Sequence, residues 1–222
     1  MKTNYKTLAF WLIVFLFIIL FSAFAHAQSD TVPTAEELWK KMGSINPGLV
    51  DYSVDVTIKT SGSAMFIPAN FNLEGTYYYK KPDKHKLKLK KSLKVLEKYP
   101  NVFGYHLPSL KEYSASVKRV TSGGRTYYLV ILTPYVKVSD VIRQEFWIDA
   151  DTYTFFRHIT DYENGGNITV NISCRKQDGY YLYDKLNAYF TFPKINTKVN
   201  AFATYGDYKI NIGLTDDFFN QK

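Results

Sequence analysis

Apolar and polar residues alternate along most of this chain, and a period of two leaves few folds open. Tyr52, Val54, Val56 and Ile58 interleave with Ser53, Asp55, Thr57 and Lys59, which predicts a strand with one buried face. Phe71, Leu73, Gly75, Tyr77 and Tyr79 repeat the pattern, and after Pro82-Asp83 His85, Leu87 and Leu89 alternate with Lys84, Lys86, Lys88 and Lys90. Further strand-like runs lie at 113–120, 126–133, 143–149, 153–162, 168–176, 180–192, 198–205 and 208–214. Turn chemistry separates them: Gly123-Gly124, Asp149-Ala150-Asp151, Asn164-Gly165-Gly166, Asp178-Gly179, Pro193 and Gly206-Asp207. Closely spaced strands of this kind pair as an antiparallel meander. The expected fold is mainly β (α+β), a strongly curved antiparallel sheet or a barrel. The 19 Tyr and 16 Phe among 222 residues fit it, because aromatic side chains pack well on a pleated surface.

Two segments break the alternation. Thr34-Ala35-Glu36-Glu37 fits a capping box, and Ala35, Leu38, Met42 and Ile45 then share one helical face with Trp39 beside them, which predicts an amphipathic helix over 34–44. Residues 92–111 carry Val102, Phe103, Leu107 and other apolar side chains broken by Pro100, Gly104 and Pro108, and read as a short helix and a long apolar loop. The helix, through Leu38, Trp39 and Met42, and the loop, through Val102, Phe103 and Leu107, are candidate lids over the sheet. The other reading has the same residues filling a closed core.

The N-terminus reads as a targeting segment. Lys2 and Lys6 precede an apolar run over 8–21, and Ala25-His26-Ala27 is a small-residue cleavage signal. Residues 1–27 are expected to be a signal peptide and 28–222 a single β domain secreted across the cytoplasmic membrane, to a periplasm, cell envelope or extracellular space. An uncleaved anchor is the alternative, although the 14-residue run is short for a bilayer span of about 20 residues. The one cysteine, Cys174, rules out an intrachain disulfide and a Cys-based zinc cluster.

No catalytic constellation is legible. The chain lacks G-x-S-x-G, H-E-x-x-H, the P-loop and G-x-G-x-x-G. His85, His106 and His158 are far apart and lack ligand spacing, so no metal or cofactor is expected. Asp149 and Asp151 read as turn formers, and Asp216-Asp217 as the start of a last helical turn. Asn167-Ile168-Thr169 and Asn171-Ile172-Ser173 match glycosylation sequons, which have meaning only in a eukaryotic secretory pathway. The expectation is a binding protein and not an enzyme.

Charge is concentrated in one place. The chain carries +8 overall, while residues 80–98 hold nine Lys against Asp83 and Glu97. Lys84, Lys86, Lys88 and Lys90 form a basic surface on one strand. It would meet an anionic membrane surface or an acidic partner, or serve as a solvated face that discourages edge pairing. Export and the absence of interleaved aromatics argue against nucleic acid.

Specific residues resemble a known family. Gly75-Thr76-Tyr77-Tyr78-Tyr79-Lys80-Lys81-Pro82 followed by Leu87-Lys88-Leu89, and Gly124-Arg125-Thr126-Tyr127-Tyr128 running to Pro134 and then Glu145-Phe146-Trp147-Ile148-Asp149, are similar to the strand motifs of the Lol-type periplasmic lipoprotein carriers and outer-membrane lipoprotein-sorting proteins. The resemblance implies a half-open barrel closed by helices, with an apolar cavity for lipid or lipoprotein acyl chains, in lipoprotein or lipid trafficking. It implies lining from Tyr77, Tyr79, Leu87, Leu89, Phe146 and Ile148. In the carrier an Arg before the proline fastens the lid helix to the barrel, and Lys81 stands at the matching position here. Related folds also serve as envelope-stress sensors, so a regulatory module that contacts an envelope protein is the second reading.

Overall fold

The computed structural model describes residues 31–90, 104, 107–136 and 140–220, and from Pro33 onward the chain forms one unit. The first element is helix α1, Ala35–Ser44. Its capping box forms as the sequence predicts. Thr34 Oγ1 accepts from the Glu37 amide at 3.2 Å, and Glu37 Oε2 accepts from the Thr34 amide at 2.8 Å.

Eleven strands follow: β1 (Asp51–Ala64), β2 (Ile67–Pro68), β3 (Phe71–Lys80), β4 (Lys84–Leu89), β5 (Tyr113–Ser122), β6 (Arg125–Pro134), β7 (Val141–Asp149), β8 (Phe155–Tyr162), β9 (Asn167–Gln177), β10 (Tyr180–Phe192) and β11 (Thr197–Ile210). A final short helix, α2, spans Asp216–Asn220. The strands make one antiparallel sheet in the order β4-β3-β1-β11-β10-β9-β8-β7-β6-β5, with β2 on β1. Every neighbouring pair except β1 and β11 is consecutive in sequence or joined through the β2 hairpin, which is the expected meander. Its two ends, β4 and β5, do not pair among the described residues, so the barrel stays open.

Curvature shows in the core. Leu87 of β4 and Phe146 of β7 lie near opposite ends of the strand order, yet both belong to a single buried cluster with Leu38 and Met42 of α1. The sheet must curl around the helix for this to happen. Trp39 meets Phe146 edge-on at 5.5 Å, and its indole N–H donates to the Pro108 carbonyl at 3.0 Å. Gly75 lets β4 come close, since a methyl there would overlap the Lys88 carbonyl.

Two boundaries differ from expectation. Residues 198–205 and 208–214 are not separate strands: Gly206-Asp207 is a bulge inside β11, with the register against β1 shifting between Val54 and Val56. The chain turns away only at Asn211, whose φ is 52°. The strand expected from 153 starts at Phe155, because Tyr153 is held at φ 55° with its amide bonded to the Asp149 carbonyl.

The β1–β2 hairpin has a two-residue loop, Met65-Phe66, closed by the pair Ala64 and Ile67. Both loop residues have positive φ, 51° and 68°. Such a turn favours Asn-Gly, and a bulky L-residue in this region costs roughly 1–2 kcal/mol. The double substitution Met65→Asn, Phe66→Gly is therefore expected to stabilise the fold by about 1–2 kcal/mol. Thermal unfolding should register this as a higher Tm, and an unchanged or lower Tm would show that the loop is not held in that conformation.

Candidate functional site

A cavity of about 470 Å³ lies at the C-terminal end of α1. Met42 and Leu49, Tyr52 of β1, Tyr79 of β3, Phe155 of β8 and Cys174 of β9 line it. The segment after α1 is tied down by polar contacts. The Asn46 side chain accepts from the Tyr181 amide at 2.8 Å and donates to the Tyr181 carbonyl at 2.9 Å, so it pairs with β10 as a strand residue would. Lys81 Nζ donates to the Asn46 carbonyl at 3.0 Å. A lysine at the β3–β4 turn thus holds the end of α1 to the sheet through one backbone oxygen. Its single point charge reaches one acceptor, where a guanidinium fork would reach two.

The residues expected to line a cavity divide into three groups. Met42, Tyr79, Lys81 and Leu107 line it. Leu38, Tyr77, Leu87, Phe146 and Ile148 are buried in the core, with Trp39 and Leu89 packed against it. Val102 and Phe103 lie outside the described residues, as does the expected signal segment. Leu107 and Gly104 do place part of the predicted loop over the concave face. A methyl on Gly104 would overlap the Tyr77 hydroxyl, so the backbone passes directly across it. Sequence reasoning missed Tyr52, Asn46, Phe155 and Cys174. Tyr52 was legible from its alternation. Nothing in the order of residues says that β9 and the segment after α1 face one another.

The lining carries two charged side chains, Lys81 and Asp83. Burial pushes the Cys174 thiol up to about 12, so it stays protonated. Burial likewise raises Tyr52, Tyr79 and Tyr205 above the ordinary phenol range. Tyr52 lies 5.1 Å from the tilted ring of Tyr79 and meets Tyr208 edge-on at 5.1 Å. The Tyr208 hydroxyl donates to the Tyr183 carbonyl at 2.8 Å, and the Tyr77 hydroxyl sits 2.5 Å from His85 Nδ1. Both hydroxyls are satisfied within the protein.

The three lysines of β4 and Lys90 just after it are not a free basic surface. Lys84 and Lys80 both hold Asp216 of α2 at 2.7 Å, and these bonds keep the Asp216 carboxyl down at about 2. Lys86 donates to the Phe218 carbonyl at 2.6 Å and lies 4.8 Å from the Phe218 ring centre. Lys88 is 4.7 Å from the same ring, and Lys90 pairs with Glu74 at 2.9 Å. Phe218 also packs on Tyr78 at 4.7 Å. The C-terminal helix therefore occupies the lysine face of the edge strand, and the aromatics absent from the lysine run itself arrive from elsewhere in the chain.

The other singled-out residues are structural. Asp149 Oδ1 accepts from the amides of Asp151 and Thr152 at 3.1 and 2.9 Å, as turn-forming Asp does. His158 stacks on Phe146 at 4.2 Å with Nε2 3.1 Å from Gln144 Oε1. The sequon residues are engaged on β9: Asn167 donates to Asp161 at 2.7 Å and Asn171 accepts from Arg157 at 2.7 Å. Among the described residues no three His, Cys, Asp or Glu side chains gather as a metal site requires, and no helix is long and apolar enough to cross a membrane.

No protein-family model matches the chain, and no curated protein does. Solved structures do match. A protein of the DUF1329 family from Desulfovibrio piger is similar at TM-score 0.65 and 13% identity, over 85% of this chain and 98% of that one. A LolA superfamily protein from Nitrosomonas europaea is similar at TM-score 0.62 and 12% identity, over 85% and 98%. A putative outer membrane lipoprotein-sorting protein domain from Vibrio parahaemolyticus is similar at TM-score 0.61 and 12% identity, over 83% and 95%. At such identities the likeness speaks for the fold alone, and the expected resemblance holds at that level: this chain has the Lol-type fold, an open antiparallel sheet curled around an N-terminal helix.

Proposed function

We propose that this protein is a non-enzymatic extracytoplasmic binding protein that shelters a lipid or lipoprotein acyl chain in the cavity beside α1. The observation that carries this reading is the cavity itself, about 470 Å³ between helix and sheet with Met42, Leu49, Leu107 and Phe155 on its walls. That volume lies within the roughly 300–1,000 Å³ usual for small-ligand sites. An acyl chain entering it loses no hydrogen bonds, and each methylene buried stabilises the complex by about 0.8 kcal/mol. Lys81 on the lining offers a cation to a carboxylate or ester head. The neutral tyrosines and thiol inside offer nothing that would repel the tail.

The fold likeness supports a carrier type of function, since two of the similar structures are described as a LolA superfamily protein and a lipoprotein-sorting domain. The signal-like N-terminus supports export. Protein purified from envelope extract, examined by native mass spectrometry and titrated with a fluorescent fatty-acyl probe, is expected to carry lipid or to bind the probe at a single site. Protein that carries no lipid and leaves the probe free, but cross-links to one envelope protein, would contradict this reading in favour of a regulatory interaction module.

A further inference from the structure

Three large, exposed apolar side chains sit together at the tip of the β1–β2 hairpin. Met65, Phe66 and Ile67 are 64%, 81% and 69% exposed. They belong to the run Ala64-Met65-Phe66-Ile67-Pro68-Ala69, in which no side chain carries a polar group able to reach water in their place. A hairpin loop is ordinarily the most polar part of a β-protein, and this one also holds its two apolar residues in a backbone region that favours Asn and Gly. Backbone strain kept in place to project hydrophobic groups points to a use for them.

The surroundings of the tip say which partner fits. The Met65 amide donates to Thr197 Oγ1 at 3.3 Å, and Ser63 pairs with Lys198, so the β10–β11 connection lies beside the tip. That connection adds Ile195, 48% exposed, between Lys194 and Thr197. Residues 56–73 and 193–203 contain Lys59, Lys194 and Lys198 and no Asp or Glu. An apolar projection with Lys194 and Lys198 at its base complements a bilayer interface with anionic headgroups: side chains enter the acyl boundary while ammonium groups stay at headgroup level. Its convex form suits a deformable lipid surface better than a preformed protein pocket.

We infer that the Met65-Phe66-Ile67 tip, with Lys194 and Lys198 at its base, is a membrane-docking site that inserts into anionic lipid bilayers. It is separate from the cavity. Tyr52, which lines the cavity, and Met65 lie at opposite ends of β1, on the order of 40 Å apart at about 3.3 Å per strand residue. The site also differs from the β4 lysines, which α2 already engages.

The test is flotation of the full chain with vesicles of phosphatidylethanolamine containing phosphatidylglycerol, and with phosphatidylcholine vesicles for comparison. Wild type should float with the anionic vesicles, more weakly at high salt. The Met65→Asn, Phe66→Gly variant, expected to fold at least as stably, should lose binding by about tenfold or more, because insertion scales with apolar area. Lys194→Gln and Lys198→Gln should each weaken binding by about fivefold and reduce its salt dependence. Both sets should bind the acyl probe as wild type does, so this test and that of the cavity fail independently. Wild type that does not float, or a tip variant that floats undiminished, would overturn the inference.

Discussion

Replacing Asp51 with alanine is expected to lower the unfolding free energy by about 2–4 kcal/mol, since hydrogen bonds to charged groups contribute about 1.5–3 kcal/mol each and some are partly recovered from water. Asp51 is only 2% exposed, and its carboxylate accepts three backbone amides: Ile212 at 2.7 Å, Gly213 at 3.2 Å and Leu214 at 3.1 Å. The Asp51 carbonyl takes a fourth, from Asn211, at 2.8 Å. Asn211 in turn bonds the Val50 amide and the Gly48 carbonyl. One buried side chain thus joins the start of β1 to the segment that leads into α2. Ile212 is 46% exposed, so some freed amides regain water, which keeps the expected loss below the sum of three charged bonds. For a chain of this size the change corresponds to a fall in Tm of roughly 5–15 °C. Asp51→Asn should cost about half as much, because a carbonyl oxygen at the Oδ1 position can still receive two of the three amides. Equilibrium urea unfolding measures both, and an alanine variant within 0.5 kcal/mol of wild type, the range of ordinary surface changes, would remove Asp51 from this role.

Filling the cavity should abolish useful affinity for an acyl chain while leaving the fold intact. Cys174 lines the cavity from β9 and is partly exposed within it, so Cys174→Phe places a ring in the open volume. Excluding three or four methylenes at about 0.8 kcal/mol each removes close to 3 kcal/mol, roughly a hundredfold in Kd. Cys174→Ala enlarges the space slightly and should leave probe affinity within a few-fold of wild type. The pair separates loss of volume from loss of the thiol. Equal binding by both variants, with near-native circular dichroism, would place the acyl chain elsewhere.

The strands were legible because a period of two is a physical necessity of a sheet with one wet face. Val54, Val56 and Ile58 are all under 3% exposed, as their alternation requires. The capping box of α1 was legible because its partners are three residues apart. Long-range closure was not. That β1 pairs with β11 depends on residues about 150 positions apart, and a bulge at Gly206-Asp207 reads locally like a turn. The site was legible to the same degree. Met42 and Tyr79 follow from one-face reasoning, Leu107 from the apolar loop and Lys81 from the family resemblance, whereas Cys174 and Phe155 reach the cavity only through the curl of the sheet. The lysine run misleads for a related reason, since its partners Asp216 and Phe218 come from more than 120 residues downstream. The hairpin tip is apolar in sequence and yet Met65, Phe66 and Ile67 are exposed.

Cross-linking with a photoactivatable fatty acid, followed by peptide mapping, tests the central claim most directly. The account predicts adducts on the peptides that contain Met42, Leu107 and Cys174, and their loss in Cys174→Phe. Adducts confined to the Met65-Phe66-Ile67 tip, or spread evenly over the surface, would contradict it.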